Sequence, residues 1–148
     1  MGEILKRAEI VREARRWLKT PYHHHGRVHG VGVDCAMLLV EVYERAEAVP
    51  HIDPGAYPHD WHLHRSEEMF VAWLKRVGAQ PVHTPAPGDI GCWRFGRTYS
   101  HGGIVVGVVD GLPLVVHAYI NRGVILTRTD EEPLAGRPVT WWTLWGRH

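Results

Sequence analysis

The spacing of apolar residues changes at Pro81, and that change restricts the chain to a narrow set of folds. Before it, apolar residues recur every three or four positions, as on a helix with one buried face. Ile4, Leu5, Ala8, Val11, Ala14 and Leu18 form such a stripe over residues 3–18, widened by Trp17. A second helix is predicted from Cys35 to Ala46, with Ala36, Leu39, Val40 and Tyr43 on one side. A third carries Met69, Phe70, Trp73, Leu74 and Val77; Ser66 is its expected cap, Glu67 and Glu68 occupy its first turn, and Gly78 follows its end. After Pro81 the chain turns to short β-prone runs: Ile90–Trp93, His101–Val109, Leu114–Ala118, Gly123–Thr129 and Trp141–Trp145. Asp110-Gly111 between the second and third is a hairpin signal. Helices first and strands after predict an α+β fold, with N-terminal helices packed on a C-terminal antiparallel sheet. A length of 148 residues suits one domain, 1–148, around one core.

Composition narrows the function classes. A formal charge of +1 offers no broad basic field, so no nucleic-acid partner is expected. No apolar stretch approaches the ~20 residues of a membrane-spanning helix. Glu3, Lys6, Arg7, Glu9, Arg12 and Glu13 interrupt the N-terminus, which does not read as a signal peptide. Synthesis in the cytoplasm without a cleaved leader is the expectation. Two cysteines, Cys35 and Cys92, are too few for a disulfide framework and read as reduced thiols, although a bridge between them remains compatible with the sequence.

The chemistry is concentrated at Gly32-Val33-Asp34-Cys35, where a glycine-containing loop enters the second helix. Asp34 can cap that helix, and Cys35 then occupies its first turn, where the helix dipole favours thiolate over thiol. The alternative is a small buried core residue. A nucleophilic thiol needs a base, and the base needs a group that orients its ring. His101 opens the most β-prone run beside Ser100 and Gly102-Gly103, and His117 lies on the next strand. A turn at 110–111 pairs position 101 roughly with position 120, so a register shift or bulge would bring the two histidines together. Each histidine alone also fits a polar strand-end or hydrogen-bonded core residue.

Together these pieces resemble the NlpC family of papain-like cysteine peptidases, which cut peptidoglycan stem peptides. The matching stretches are Thr20-Pro21-Tyr22, Gly32-Val33-Asp34-Cys35, Pro87-Gly88-Asp89-Ile90, His101-Gly102-Gly103-Ile104-Val105-Val106-Gly107 and Val116-His117-Ala118. They keep their order over residues 10–130. The resemblance implies a papain-like fold, Cys35 as nucleophile, His101 as base and His117 as the group that orients it. It implies that Tyr22 supports the oxyanion beside the Cys35 amide, that Asp34 and Ser100 bind substrate, and that no metal or organic cofactor is needed. Tyr22-His23-His24 and the stretch from Ile52-Asp53-Pro54 to Asp60-Trp61-His62-Leu63-His64 are most similar to the branch encoded with phage tail genes, implying tail proteins as partners and a virion or tail location. Where the family usually has serine and then glycine after the cysteine, this chain has Ala36 and Met37. The serine often helps bind the substrate's amino terminus, so peptide specificity is open, and Met37 is expected to narrow the cleft.

Two rivals compete with this reading. The 12 histidines include clusters at His23, His24, His25 and His29 and at His59, His62 and His64 with Asp60, which suggest zinc. Neither has a His-Glu-x-x-His or Cys-x-x-Cys pattern, and loop histidines bound to water or backbone are the simpler reading. The second rival is a non-catalytic tail or cell-wall-binding module that keeps the fold, or a thiol amidase or acyltransferase with another substrate.

Overall fold

The computed structural model describes residues 2–24, 26–51 and 67–146, and for 67–71 the backbone course alone. His25, the stretch 52–66 with its histidines and the Ser66 cap, and the side chains of Met69 and Phe70 lie outside the described residues. Three helices precede most of the strands: α1 (Gly2–Arg16), α2 (Cys35–Arg45) and α3 (Glu67–Arg76). β1 (Arg27–Val28) and β2 (Gly32–Val33) form a small antiparallel ribbon between α1 and α2. Six strands then build one antiparallel sheet: β3 (Gln80–Val82), β4 (Ile90–Phe95), β5 (Thr98–Val109), β6 (Leu112–Tyr119), β7 (Gly123–Arg128) and β8 (Val139–Thr143), in the order β3-β8-β4-β5-β6-β7. The expected α+β architecture is therefore present. The β1–β2 ribbon and β3 were not anticipated: each is two or three residues long, too short for periodicity to register. Pro81 is tolerated in β3 because that strand forms an edge.

Local chemistry explains the main elements. Asp110 and Gly111 both adopt positive φ, 53° and 78°, as a two-residue type I′ hairpin turn requires. Ile104, Val106, Val116, Ala118 and Val124 from the sheet pack with α2 and with Ile10, Ala14 and Trp17 of the first helical segment. The expected α1 stripe is buried only in its second half, where Val11 and Leu18 also pack against this core. Its buried face is Ile10, Ala14 and Trp17, whereas Ile4 and Leu5 stand in solvent. Ile4, Ala8 and Val11 line an open groove beside Pro87 and Val106. Trp93, Val115 and Leu134 form a second, smaller core with Phe95, Val139 and Trp141. Among the described residues no helix is long and apolar enough to cross a membrane.

Arg7 fastens α1 to the sheet. Its Nη1 donates to the Pro87 carbonyl at 2.9 Å and to Asp89 Oδ1 at 3.0 Å, and its Nη2 to Thr143 Oγ1 at 3.3 Å. The guanidinium also stacks 4.2 Å from the centre of the Trp145 ring. Asp89 is wholly buried, and its other oxygen accepts the Ala86 N–H at 2.8 Å, which closes the Pro87-Gly88-Asp89 turn before β4. Removing one partner from such a pair strands a buried charge. Arg7→Ala is therefore expected to cost about 3 kcal/mol of stability, with Arg7→Lys in between, read from urea unfolding midpoints.

Candidate active site

The loop before α2 is shaped by contacts that leave no room for side chains. A Cβ on Gly32 would lie 2.6 Å from His23 Cβ, and one on Gly26 2.8 Å from the Gly32 carbonyl carbon. Val33 is held by its N–H to the Pro21 carbonyl and its C=O to the His23 N–H, both at 3.1 Å. The chain then enters α2 through Asp34, an extended N-cap whose Oδ1 accepts the Met37 N–H at 2.9 Å. Cys35 is the first residue of the helix. It is only 3% exposed, and its Sγ–H donates to the carbonyl of Ser100, the residue before His101, over a long 3.8 Å. Cys92 is also a free, buried thiol. Burial first, and the neighbouring Cys35 second, push its pKa up to about 12, so it stays protonated and inert.

The two histidines meet through sheet register. Near the turn Val109 pairs with Leu112, but an irregularity between Val105 and Gly107 shifts the ladder so that Ile104 pairs with Val116. One step further Gly103 lies opposite His117, two residues from His101 on the same face. The bulge allowed for from sequence exists and sets this diagonal. Gly103 is required for it: a Cβ there would lie 2.6 Å from Val115 Cγ1 and 3.1 Å from His117 Cβ. His101 Nε2 and His117 Nδ1 are 2.9 Å apart, and His117 Nε2 is 2.9 Å from Thr127 Oγ1 on β7. His101 is 6% exposed and His117 not at all. Trp93 covers both rings, 6.3 Å from His101 and 6.5 Å from His117 between ring centres.

Burial, and to a lesser degree the charge of Arg122, push His117 down to about 4. It is therefore the neutral member of the relay. When His101 carries a proton on each nitrogen, its Nε2–H donates to His117 Nδ1, and the His117 Nε2–H donates to Thr127 Oγ1. Each buried ring nitrogen then has a partner. The His101 ring is held from behind, which leaves Nδ1 as the nitrogen available for proton exchange.

Cys35 and His101 open onto one cleft of about 390 Å³, walled also by Tyr22, Ser100, Phe95 and Tyr119. Tyr22 and Ser100 thus share the cleft with the thiol. His117 stands behind His101, and Asp34 is not on the wall: it is 4% exposed and turned to the helix backbone. Met37 does not narrow the cleft, because its side chain points into the core and is wholly buried. The ring of the half-buried His29 lies edge-on to Trp17 and its Nε2 bonds the Arg16 carbonyl at 2.7 Å. Thr127 escaped sequence analysis. Its only signal is a hydroxyl following the apolar run Val124–Leu126, and linking it to His117 needs the β6–β7 register, in which Val115 pairs with Thr127 and His117 with Ile125.

Comparison with solved structures finds a similar fold in the crystal structure of the NlpC/p60 domain of the peptidoglycan hydrolase SagA. The two chains share 22% identity and a TM-score of 0.56, over 90% of this chain and 96% of that one. The fold is that of an NlpC/p60 domain. No family model matches this sequence. No curated protein matches it either. At this identity the likeness covers the papain-like architecture, α-helices packed on a six-stranded antiparallel sheet, and not the chemistry.

The relay makes stability depend on pH. Between 6.5, the ordinary histidine value, and about 4, the unfolded chain binds a proton at His117 that the folded chain refuses. Stability is therefore full above pH 6.5 and declines as pH falls through that window, by about 3 kcal/mol at pH 4. Urea unfolding from pH 7 to 4 should show a steeper loss in the wild type than in His117→Gln, which has no such group to titrate. Equal slopes would mean that His117 is protonated in the folded protein.

Proposed function

We propose that the chain is a cysteine peptidase that hydrolyses an amide bond in peptidoglycan stem peptides. The observation that carries this reading is the buried relay His101–His117–Thr127, which ends in the cleft that holds a thiol at the start of a helix. The fold shared with a domain of a peptidoglycan hydrolase supports the substrate class. A purely structural module has no need of two buried imidazoles kept in one orientation at the expense of core packing.

In the proposed cycle His101 takes the Cys35 proton at Nδ1, and the thiolate sulfur attacks the scissile carbonyl carbon. The oxyanion is met by the Cys35 backbone N–H, with help from the Tyr22 hydroxyl in the same cleft. The C–N bond breaks as His101 returns the proton to the leaving amine, giving an acyl-thioester on Cys35. Water, deprotonated by His101, attacks the thioester, and the thiol is regenerated. His117 and Thr127 position His101 throughout. Ser100 contributes to substrate binding from the cleft wall. Asp34, which caps α2 beside Cys35, meets a free amino group of the substrate in this reading. Association with phage tail proteins belongs to the same reading and rests on the similarity of residues 22–24 and 52–64 to tail-encoded relatives.

Sacculi and synthetic stem peptides incubated with the protein should release a new amino terminus detectable by mass spectrometry. Cys35→Ala and His101→Ala should release none, Cys92→Ala should be fully active, and His117→Ala should keep a partial rate, because an orienting group is replaceable in part. An inactive Cys92→Ala with an active Cys35→Ala would overturn the assignment. Iodoacetamide should label Cys35, as a nucleophile open to the cleft, and spare Cys92, whose burial keeps it protonated at pH 7.

A further inference from the structure

The first turns of α1 leave part of an apolar stripe open. Ile4, Ala8 and Val11 follow one another at helical spacing and so share one face of α1. With Pro87 and Val106 they enclose a groove of about 600 Å³. Ile4 is 69% exposed and Leu5 beside it 59%, and Val108 and Val109, which continue β5 past Val106, are exposed as well. The walls of the groove hold one another. Gly88 sits at φ 97°, and a Cβ there would lie 3.1 Å from Arg7 Cγ and 3.3 Å from Arg7 Cα, so the 87–89 turn abuts the helix directly. The Gly88 N–H donates to the Val105 carbonyl at 2.8 Å, and the Val105 N–H to the Asp89 carbonyl at 2.9 Å, which ties the turn to β5. The recess is therefore preformed. It is also remote from the thiol: Val106 stands five residues along β5 from His101, roughly 16 Å at the rise of a strand.

The charges around the recess are of one sign. Its other wall residues are Arg7, Arg12 and Arg15, and no acidic residue lines it. The carboxylates of α1 are engaged elsewhere: Glu3 with Arg7, Glu9 with Lys6 and Glu13 with Arg16. Arg7 is further bound to Asp89, so its charge is compensated. Arg12 and Arg15 follow Ala8 and Val11 by four residues each, which sets them along the apolar stripe. Other cations of this chain also lack a carboxylate partner, Lys75 and Arg97 among them; Arg12 and Arg15 differ in standing on the wall of an apolar groove. An apolar recess with a cationic rim complements apolar side chains flanked by carboxylates. A second copy of the same groove would set arginine against arginine. A bilayer surface would meet Ile4 and Leu5 but leave the recess between helix and strand unfilled.

We propose that this groove docks an acidic amphipathic segment of a partner protein, whose apolar side chains lie against Ile4, Ala8, Val11 and Val106 and whose carboxylates pair with Arg12 and Arg15. An amphipathic helix laid in a groove meets such a surface with anchors three and four residues apart, and arginine receives a carboxylate through paired N–H donors. The proposal does not depend on Cys35 being a nucleophile. It gives the domain a second face, at the far end of β5, by which a partner holds it while the cleft stays open.

The probe is a fluorescein-labelled helical peptide of about two heptads, with leucine at every third and fourth position and glutamate between; a twin carries lysine in place of glutamate. Fluorescence anisotropy gives the Kd of each, and amide NMR shifts of the labelled protein locate the site. The glutamate peptide should bind the wild type more tightly than its twin, with a Kd that rises with salt. It should move the signals of Ala8, Val11 and Val106 and leave those of Cys35 and His101 in place. Arg12→Gln with Arg15→Gln should weaken it about threefold to tenfold, and Arg12→Glu with Arg15→Glu should reverse the preference between the twins. Ile4→Asp, at an exposed position, should weaken both peptides. A glutamate peptide that does not bind, or whose Kd is the same in all three variants, overturns the proposal. So does a dimer in sedimentation equilibrium that Ile4→Asp dissociates, which would assign the groove to a second copy. Flotation with phosphatidylglycerol vesicles that Ile4→Asp abolishes would overturn it as well, in favour of a lipid surface.

Discussion

Eight of the eleven residues of α2 are buried, from Cys35 through Val40 and again at Val42 and Tyr43, so this helix is enclosed on nearly every side. Only Glu41, Glu44 and Arg45 make a polar edge, and the rest of the helix surface is fixed by close packing. Its start is then set as well. Asp34 satisfies the Met37 N–H, and the ladder from Pro21 to Val33 aligns the preceding chain. Nothing at Cys35 itself chooses its place; the thiol is put beside Ser100 because the ten residues after it have nowhere else to go.

The sheet answers from its other face. Its helix-facing side is filled by aliphatic residues, whereas the opposite side carries Trp93, His101, His117 and Thr127 around the small residues Gly91 and Gly103. A Cβ on Gly91 would come within 2.5 Å of the Trp93 indole, so two glycines on adjacent strands open the space in which one indole and two imidazoles fit. Polar rings in a buried layer are destabilising unless each nitrogen is bonded, and the chain of hydrogen bonds to Thr127 meets that condition.

Much of this was legible in the sequence because it rests on short-range rules. The three helices follow from a 3.6-residue period, the β5–β6 hairpin from Asp110-Gly111, and the nucleophile and histidine candidates from their positions at a helix start and a strand start. What was not legible depends on distance across the fold. Thr127 joins the relay only through pairing of β6 with β7. The stripe at Ile4 and Leu5 carries the right period for burial, yet both side chains stay exposed. Asp34 reads as a helix cap from its position and, by resemblance, as a ligand for a substrate amine as well, and the described contacts display the cap. Met37 shows the same ambiguity: position alone suggests a cleft wall, and the helix turn sends it to the core.

β7 is the last strand of the sheet, and it carries Thr127 on its inner side. Three successive strands thus contribute one member each to the relay, and the outermost is secured on its free flank by only a few backbone bonds to residues 19 and 20. Sheet edges open before sheet centres. Warming would therefore unzip the proton network from its far end while the helices and central strands stay intact, and the working temperature of the cleft would be set by a boundary strand, below the melting point of the domain that surrounds it.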